Sequence, residues 1–210
     1  MHMWKLVNVV EETDSAFNGR IQILKSIEGT RILVGGISQS GWLVKKVWQS
    51  ALEKIKKLKP DLQSVLILGL GGGSVAELVS QYWPESETTG LDVDEKMVEM
   101  GRKYLKLDTL PNVKVVIADA SSWVSTCKEK YDLVLVNMYK GVDIPPEFTT
   151  VSFMEKVKKL LRKDGAAAFN HLYSSIEKKD ADEFGKCLRR VYSATASVTP
   201  EANIIYICFT

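Results

Sequence analysis

The residues best suited to chemistry lie in three short runs. The first is Val65-Leu66-Ile67-Leu68 followed by Gly69-Leu70-Gly71-Gly72-Gly73-Ser74. A continuous apolar run of this kind reads as a parallel strand buried on both faces, and the glycines read as its turn into a helix over about Ser74 to Tyr82. A turn without Cβ atoms lets backbone approach a ligand closely, and the helix N-terminus beyond it suits a carboxylate or a phosphate. The second run holds Asp92, which closes the next strand 19 residues after Gly73. That is close to the spacing of about 20 residues at which an acid binds ribose hydroxyls, since a carboxylate accepts from both vicinal groups. The third holds Asp119, after a further strand, where it either reaches the amino group of a base or caps the helix near Ser121. Asp94 reads as the N-cap of the helix that begins at Glu95. Together these residues point to recognition of a nucleoside.

The loop spacing separates two kinds of nucleoside. A dinucleotide fingerprint, Gly-x-Gly-x-x-Gly, requires glycine where Ser74 stands. Gly69-x-Gly71-x-Gly73 instead matches the pattern of S-adenosylmethionine binders, and Asp92 serves either ligand. Ligands of open α/β sheets sit at the carboxyl ends of the strands, which adds Asn137 and Asn170-His171 to the same crevice, overhung by the loop from Met138 to Pro146. There His171 is a general base or a packed histidine, and Tyr139 and Lys140 touch an acceptor or form an ordinary loop. Asp143 is a nearby acid. Trp42 and Trp48 are candidates for a pocket wall, although Trp48 also fits the apolar stripe of a helix. Transfer from a sulfonium needs little beyond positioning of the nucleophile, so no catalytic residue is assigned.

The elements that position these residues follow from periodicity. Arg20–Lys25 and Arg31–Val34 form a hairpin about the turn Ser26–Thr30. Val44, Val47, Trp48, Ala51, Leu52, Ile55 and Leu58 recur at helical spacing, predicting a helix over Trp42 to Leu58. From Ser64 onward strands alternate with helices: strands near 64–68, 88–93, 113–117, 133–136 and 166–169, helices near 74–82, 95–105, 121–128, 152–162 and 180–190. Two closing strands, 194–198 and 203–209, are separated by only Thr199-Pro200-Glu201-Ala202, too little for a parallel crossover, so they pair antiparallel. The expectation is an α/β protein of Rossmann-like, class I methyltransferase fold. Its seven-stranded, mostly parallel sheet ends in an antiparallel hairpin. Residues 1–41 form a small N-terminal β-hairpin region and 42–210 the nucleoside-binding domain.

Composition excludes several classes. A net charge of +2 is too small to imply a nucleic-acid or membrane partner, and the lysines at 54, 56, 57 and 59 and at 156, 158, 159 and 163 fall on solvated helix faces. Cys127, Cys187 and Cys208 show no paired spacing, and with only His2 and His171 beside them no metal site is expected. No run approaches the length of a membrane span, so a soluble cytoplasmic protein acting on a small molecule is the expectation.

Several runs resemble the spermidine synthase-like group of class I S-adenosylmethionine-dependent enzymes. Gly90-Leu91-Asp92-Val93-Asp94-Glu95-Lys96-Met97-Val98 is similar to that family's "E-I-D-E-x-V", Ile117-Ala118-Asp119-Ala120 to its "G-D-G", and Tyr131–Val136 to its "Y-D-V-I-I-x". Ile21-Gln22-Ile23 is similar to "Y-Q-x-I", and Val34–Gln39 to "L-D-G-x-x-Q". The resemblance covers about residue 18 to the end. It implies S-adenosylmethionine as cofactor, with Gln22 approaching the nucleoside, Asp92 its ribose and Asp119 its adenine. It places Val93 and Ala120 beside those acids, Gly69, Gly71 and Gly73 under the sulfonium side chain, and Asn137 at the reactive end. It also implies a homodimer. Aminopropyl transfer requires a carboxylate at the end of the fourth strand, where this chain has Asn137, which carries no charge and is no base near neutral pH. The family's loop aspartate is Gly72 here, and its "D-E-x-x-Y-Q-E" is Val44-Lys45-Lys46-Val47-Trp48-Gln49-Ser50. Polyamines need acids at those positions. The leading reading is a methyltransferase of this group with an unnamed acceptor. Aminopropyl transfer to an atypical acceptor and nucleoside binding without catalysis stand as alternatives.

Overall fold

The computed structural model describes residues 7–141 and 143–210; His2 and Val142, a member of the overhanging loop, lie outside them. The N-terminal region is a four-stranded antiparallel meander rather than a single hairpin: β1 (Asn8–Ser15), β2 (Gly19–Ser26), β3 (Gly29–Val34) and β4 (Ile37–Gly41), in that spatial order. The expected hairpin is its β2–β3 centre. β1 and β4 lacked a sequence signal because β1 is an acidic edge strand with mostly exposed side chains, and β4 is short and rich in serine and glycine. Alternation along β2 and β3 buries Ile21, Ile23, Ile32 and Val34 against Met97 and Met100.

The chain then runs α1 (Trp42–Leu58), β5 (Ser64–Leu68), α2 (Ser74–Tyr82), β6 (Glu87–Asp92), α3 (Glu95–Leu105), β7 (Val113–Ile117), α4 (Ala120–Thr126) and β8 (Tyr131–Val136). It closes with α5 (Val151–Lys159), β9 (Leu161–Leu172), α6 (Lys178–Val191), β10 (Ala194–Val198) and β11 (Asn203–Phe209). The strands form one seven-stranded sheet in the order β10-β11-β9-β8-β5-β6-β7, parallel from β9 to β7 and antiparallel where β11 meets β9 and β10. β9 is much longer than the expected Ala166–Phe169, because pairing with β11 holds it extended as far as Leu172.

Period-two alternation feeds two cores. Val65, Ile67, Leu133 and Leu135 face α1 and α2, whereas Leu66, Leu68, Val134 and Val136 face α5 and α6. A strand buried on both faces needs both residue sets apolar, which is why β5 and β8 read as unbroken apolar runs. Strand order reverses at β5, flanked by β6 on one side and β8 on the other, so a crevice opens above its carboxyl end. No helix among the described residues is long and apolar enough to cross a membrane.

Candidate functional site: a nucleoside cleft at the end of β5

The glycine turn closes β5 in a conformation that side chains resist: Gly69, Gly71 and Gly73 have φ of +82°, +57° and +90°. At Gly69 a Cβ would also come within 2.2 Å of the Asn137 carbonyl oxygen. All five N–H groups of the turn are already bonded. Those of Gly69 and Leu70 donate to the Leu91 carbonyl, and that of Gly73 to the Leu70 carbonyl. The Gly71 N–H donates to Asp92 Oδ2 at 2.6 Å and the Gly72 N–H to Ser40 Oγ at 2.7 Å. A loop that cradles a diphosphate must leave such donors free, and this one leaves none.

Asp92 stands at the centre. Its Oδ1 accepts from the Asp94 N–H at 2.9 Å and its Oδ2 from Gly71, leaving lone pairs on both oxygens for hydroxyl groups. Burial pushes its carboxyl up to about 6, against the lowering effect of the Asp94, Gly71 and Val93 N–H groups; the Asp94 carboxylate adds to the rise. Asp94 is the N-cap of α3, accepting from the Met97 N–H, and is also bonded by Ser15 Oγ at 2.5 Å and Asn18 Nδ2 at 2.6 Å. This fastens the meander to the cleft. Asp119 performs one of its two candidate roles outright, as Oδ1 accepts from the Ser122 N–H at 2.8 Å and caps α4. Its side chain also lines the cleft, so the second role stays open to it.

The structure brings Gly69, Gly71, Asp92, Val93, Asp119, Ala120 and Asn137 into one cleft. Gly73 is not part of that lining; it is the left-handed N-cap of α2, packed against Leu107. Gln22 is not brought to the cleft either. Strand alternation turns it away from buried Ile21 and Ile23, and its Nε2 donates to Glu12 Oε1 across the β1–β2 pair at 2.5 Å. His171 is 8% exposed, packs on Phe184, and lines a separate depression together with Asp143. Trp42 lies beneath Arg31, outside the cleft. Lys140 sits over the Phe17 ring. Trp48 is fully buried core, yet its indole N–H reaches Asn137 Oδ1 at 3.3 Å. Tyr139 does line the cleft; burial raises its hydroxyl pKa, and the hydroxyl makes no hydrogen bond of good geometry among the described residues.

Sequence reasoning singles out neither Phe17, Asn18, Glu147 nor Phe148, and gives Gln39 no site role beyond its place in the run Val34–Gln39; all five line the cleft. Gln39 carried a usable signal as the last residue of that family-like run, whereas Asn18 lies in the turn between β1 and β2. Gln39 Nε2 donates to the Gly141 carbonyl at 2.7 Å, tying the meander to the overhanging loop.

Comparison with known proteins bears on the family and the fold. A "Probable polyamine aminopropyl transferase" of Bifidobacterium longum is 29% identical over 113 residues, covering 54% of this chain and 25% of that one. The "eEF1A lysine and N-terminal methyltransferase" of Homo sapiens is 26% identical over 159 residues, covering 69% of this chain and 22% of that one. The chain therefore spans only a quarter or less of the length of these two relatives. Among solved structures, a probable spermidine synthase from Corynebacterium glutamicum superposes with a TM-score of 0.80 at 18% identity, covering 97% of this chain and 80% of that one. Human Methyltransferase-like protein 13, in complex with SAH, superposes with a TM-score of 0.65 at 23% identity, covering 80% of this chain and 82% of that one. Both likenesses concern the fold. The model of the spermine/spermidine synthase domain matches residues 46–209, nearly everything from α1 to β11. With the glycine turn, Asp92 and the closing antiparallel strands in place, the chain belongs to the spermine/spermidine synthase domain family.

Proposed function

We propose that this chain binds S-adenosylmethionine in the cleft above β5 and is a methyltransferase. The observation that carries the reading is the contrast within the cleft. Its nucleoside end keeps Asp92 and Asp119, while the end of β8, where an amine-activating acid would stand, holds Asn137. Asp92 has acceptor capacity on both oxygens for a ribose, and Asp119 keeps one carboxylate oxygen for an adenine amino group. The fully bonded glycine turn disfavours a dinucleotide, whose diphosphate needs free N–H donors. When bound, the cofactor supplies a sulfonium methyl group. The chain's own contribution is to hold the nucleoside and to align a nucleophile in line with the S–C bond.

Aminopropyl transfer is the second reading. It is favoured by Glu147, an exposed carboxylate on the cleft wall, and by the name of the Bifidobacterium relative. Calorimetric titration with S-adenosylhomocysteine and with methylthioadenosine separates the two. Tighter binding of S-adenosylhomocysteine is expected, because its longer side chain extends beyond the nucleoside along a wall lined by Gln39, Asn137 and Glu147, which methylthioadenosine leaves unfilled. Preference for methylthioadenosine, with its release from decarboxylated S-adenosylmethionine plus putrescine, would replace the first reading by the second.

A further inference from the structure

A second cavity, of about 390 Å³, adjoins the nucleoside cleft and shares Gln39, Asn137 and Tyr139 with it. Ile37, Val44, Val47 and Leu172 give it apolar walls, and Asn170 and Asn203 join Asn137 on its polar side. The three asparagines form a hydrogen-bonded row. Asn203 Nδ2 donates to Asn170 Oδ1 at 3.0 Å, and Asn170 Nδ2 donates to Asn137 Oδ1 at 2.9 Å.

The direction of that row has a physical cause. The oxygen and nitrogen of an amide are nearly alike in shape, so only their partners decide which way each side chain faces. The indole N–H of Trp48 is a donor and nothing else, it lies 3.3 Å from Asn137 Oδ1, and the ring is fully buried. Asn137 must therefore keep its oxygen toward Trp48 and its amide N–H groups toward the ligand space. Asn170 then has to present Nδ2 to that oxygen, and Asn203 Nδ2 to Asn170. One buried tryptophan thus sets the polarity of three residues, one just past the end of β8 and the others on β9 and β11. The acceptor oxygen of Asn137 is saturated by two donors, and what remains for a ligand is a donor.

We propose that this cavity takes an uncharged methyl acceptor, a flat apolar body bearing a carbonyl or hydroxyl oxygen that receives the Asn137 Nδ2–H, and that it rejects diamines and polyamines. The proposal deepens the methyltransferase reading and rests on it for the identity of the cleft. An ammonium group at this point would meet an N–H where it needs an acceptor. The rest of the wall does not compensate. Glu201 is paired with Lys46 at 2.6 Å, and Arg31 adds a positive charge of its own. Tyr139 borders both cavities, with its hydroxyl enclosed beside Asn203 and the Leu172 backbone.

The test is a titration of the full chain with putrescine and with para-hydroxybenzamide, with and without S-adenosylhomocysteine, followed by the NMR signals of the Trp48 indole and the asparagine amides. The wild-type chain is expected to bind the amide at least about tenfold more tightly than the diamine. Asn137→Asp is expected to raise putrescine affinity by about tenfold or more, since the two N–H groups already aimed at that oxygen then stabilise a carboxylate. The proposal is overturned if putrescine binds the wild type as tightly as the amide, if millimolar amide does not bind, or if Asn137→Asp leaves putrescine affinity unchanged. Should that variant fail to fold, Trp48→Phe removes the donor that orients the row. The amide-over-diamine preference is then expected to shrink to about threefold or less, and an undiminished preference overturns the proposal. Amide binding without any S-adenosylhomocysteine binding would unseat the adenosyl reading alone.

Discussion

The two halves of the crevice are built from different materials. The nucleoside half lies at the ends of β5, β6 and β7, where the glycine turn donates to the Leu91 carbonyl and two carboxylates accept from the N–H groups of Gly71, Asp94 and Ser122, in the turn and helix N-termini that follow these strands. The acceptor half lies at the ends of β8, β9 and β11, where three amides are held by one another and by a tryptophan of α1. In the first half charge is retained, exposed at Asp119 and half-buried at Asp92, where desolvation raises the carboxyl pKa. In the second, every described hydrogen bond that orients the asparagine row is neutral. A carboxylate, with acceptor capacity on two oxygens, suits a pair of hydroxyl groups, whereas a ligand oxygen that only accepts is met by a correctly turned amide.

The halves touch at Gly69, which offers the severest way to break the comparison. Gly69→Ala forces a side chain into a left-handed conformation and against the Asn137 carbonyl. A loss of at least about 3 kcal/mol in stability is expected, with both ligand sites weakened, as read by chemical denaturation and by calorimetry with S-adenosylhomocysteine. Wild-type stability would mean that the two halves are not rigidly joined.

The charge difference is sharpened by pH. With Asp92 at about 6 in the free chain, a ligand that binds its ionised form should lose about tenfold in affinity between pH 7 and pH 5. Asp92→Asn should flatten that profile and bind weakly throughout. The stability of the unliganded chain should show the opposite slope. A carboxyl raised on folding holds more protons in the folded state, so its contribution is full below pH 4 and is lost as pH rises through 6. An affinity that stays level from pH 5 to 7 would remove Asp92 from the binding site.

The smallest effect is expected in the acceptor half. Tyr139→Phe removes a buried hydroxyl that makes no hydrogen bond of good geometry among the described residues, so stability should be unchanged or rise by about 1 kcal/mol in thermal or urea unfolding. A clear loss of stability would show that the hydroxyl is already satisfied within the chain.

Much of the first half was legible in the sequence because its signals are local. The run Val65 to Gly73 announces strand and turn together, and Asp92 follows at a spacing set by one helix and one strand. Asp94 is recognisable as a cap because capping involves residues three positions apart. The second half was not legible in the same way. Asn137 was visible as a missing charge, but Asn203 had no signal, and Trp48 read as core, which it is.

By itself the sequence determined the order and type of the elements from α1 to β11 and the placing of Asp92 beside the glycine turn, whereas the reversal of strand order at β5 was read from the structure. Short-range periodicity and spacing suffice for the first two, since each is set within one βαβ unit. Only the tertiary structure decided that β1 and β4 complete a four-stranded meander and that Gln22 faces Glu12 instead of the cleft. It alone showed that Trp48, Asn137, Asn170 and Asn203 share one row of hydrogen bonds. The reason is that the direction of an amide depends on which donor meets it across the sheet, and pairing between α1, β8, β9 and β11 joins residues too far apart in the chain for any local pattern to record.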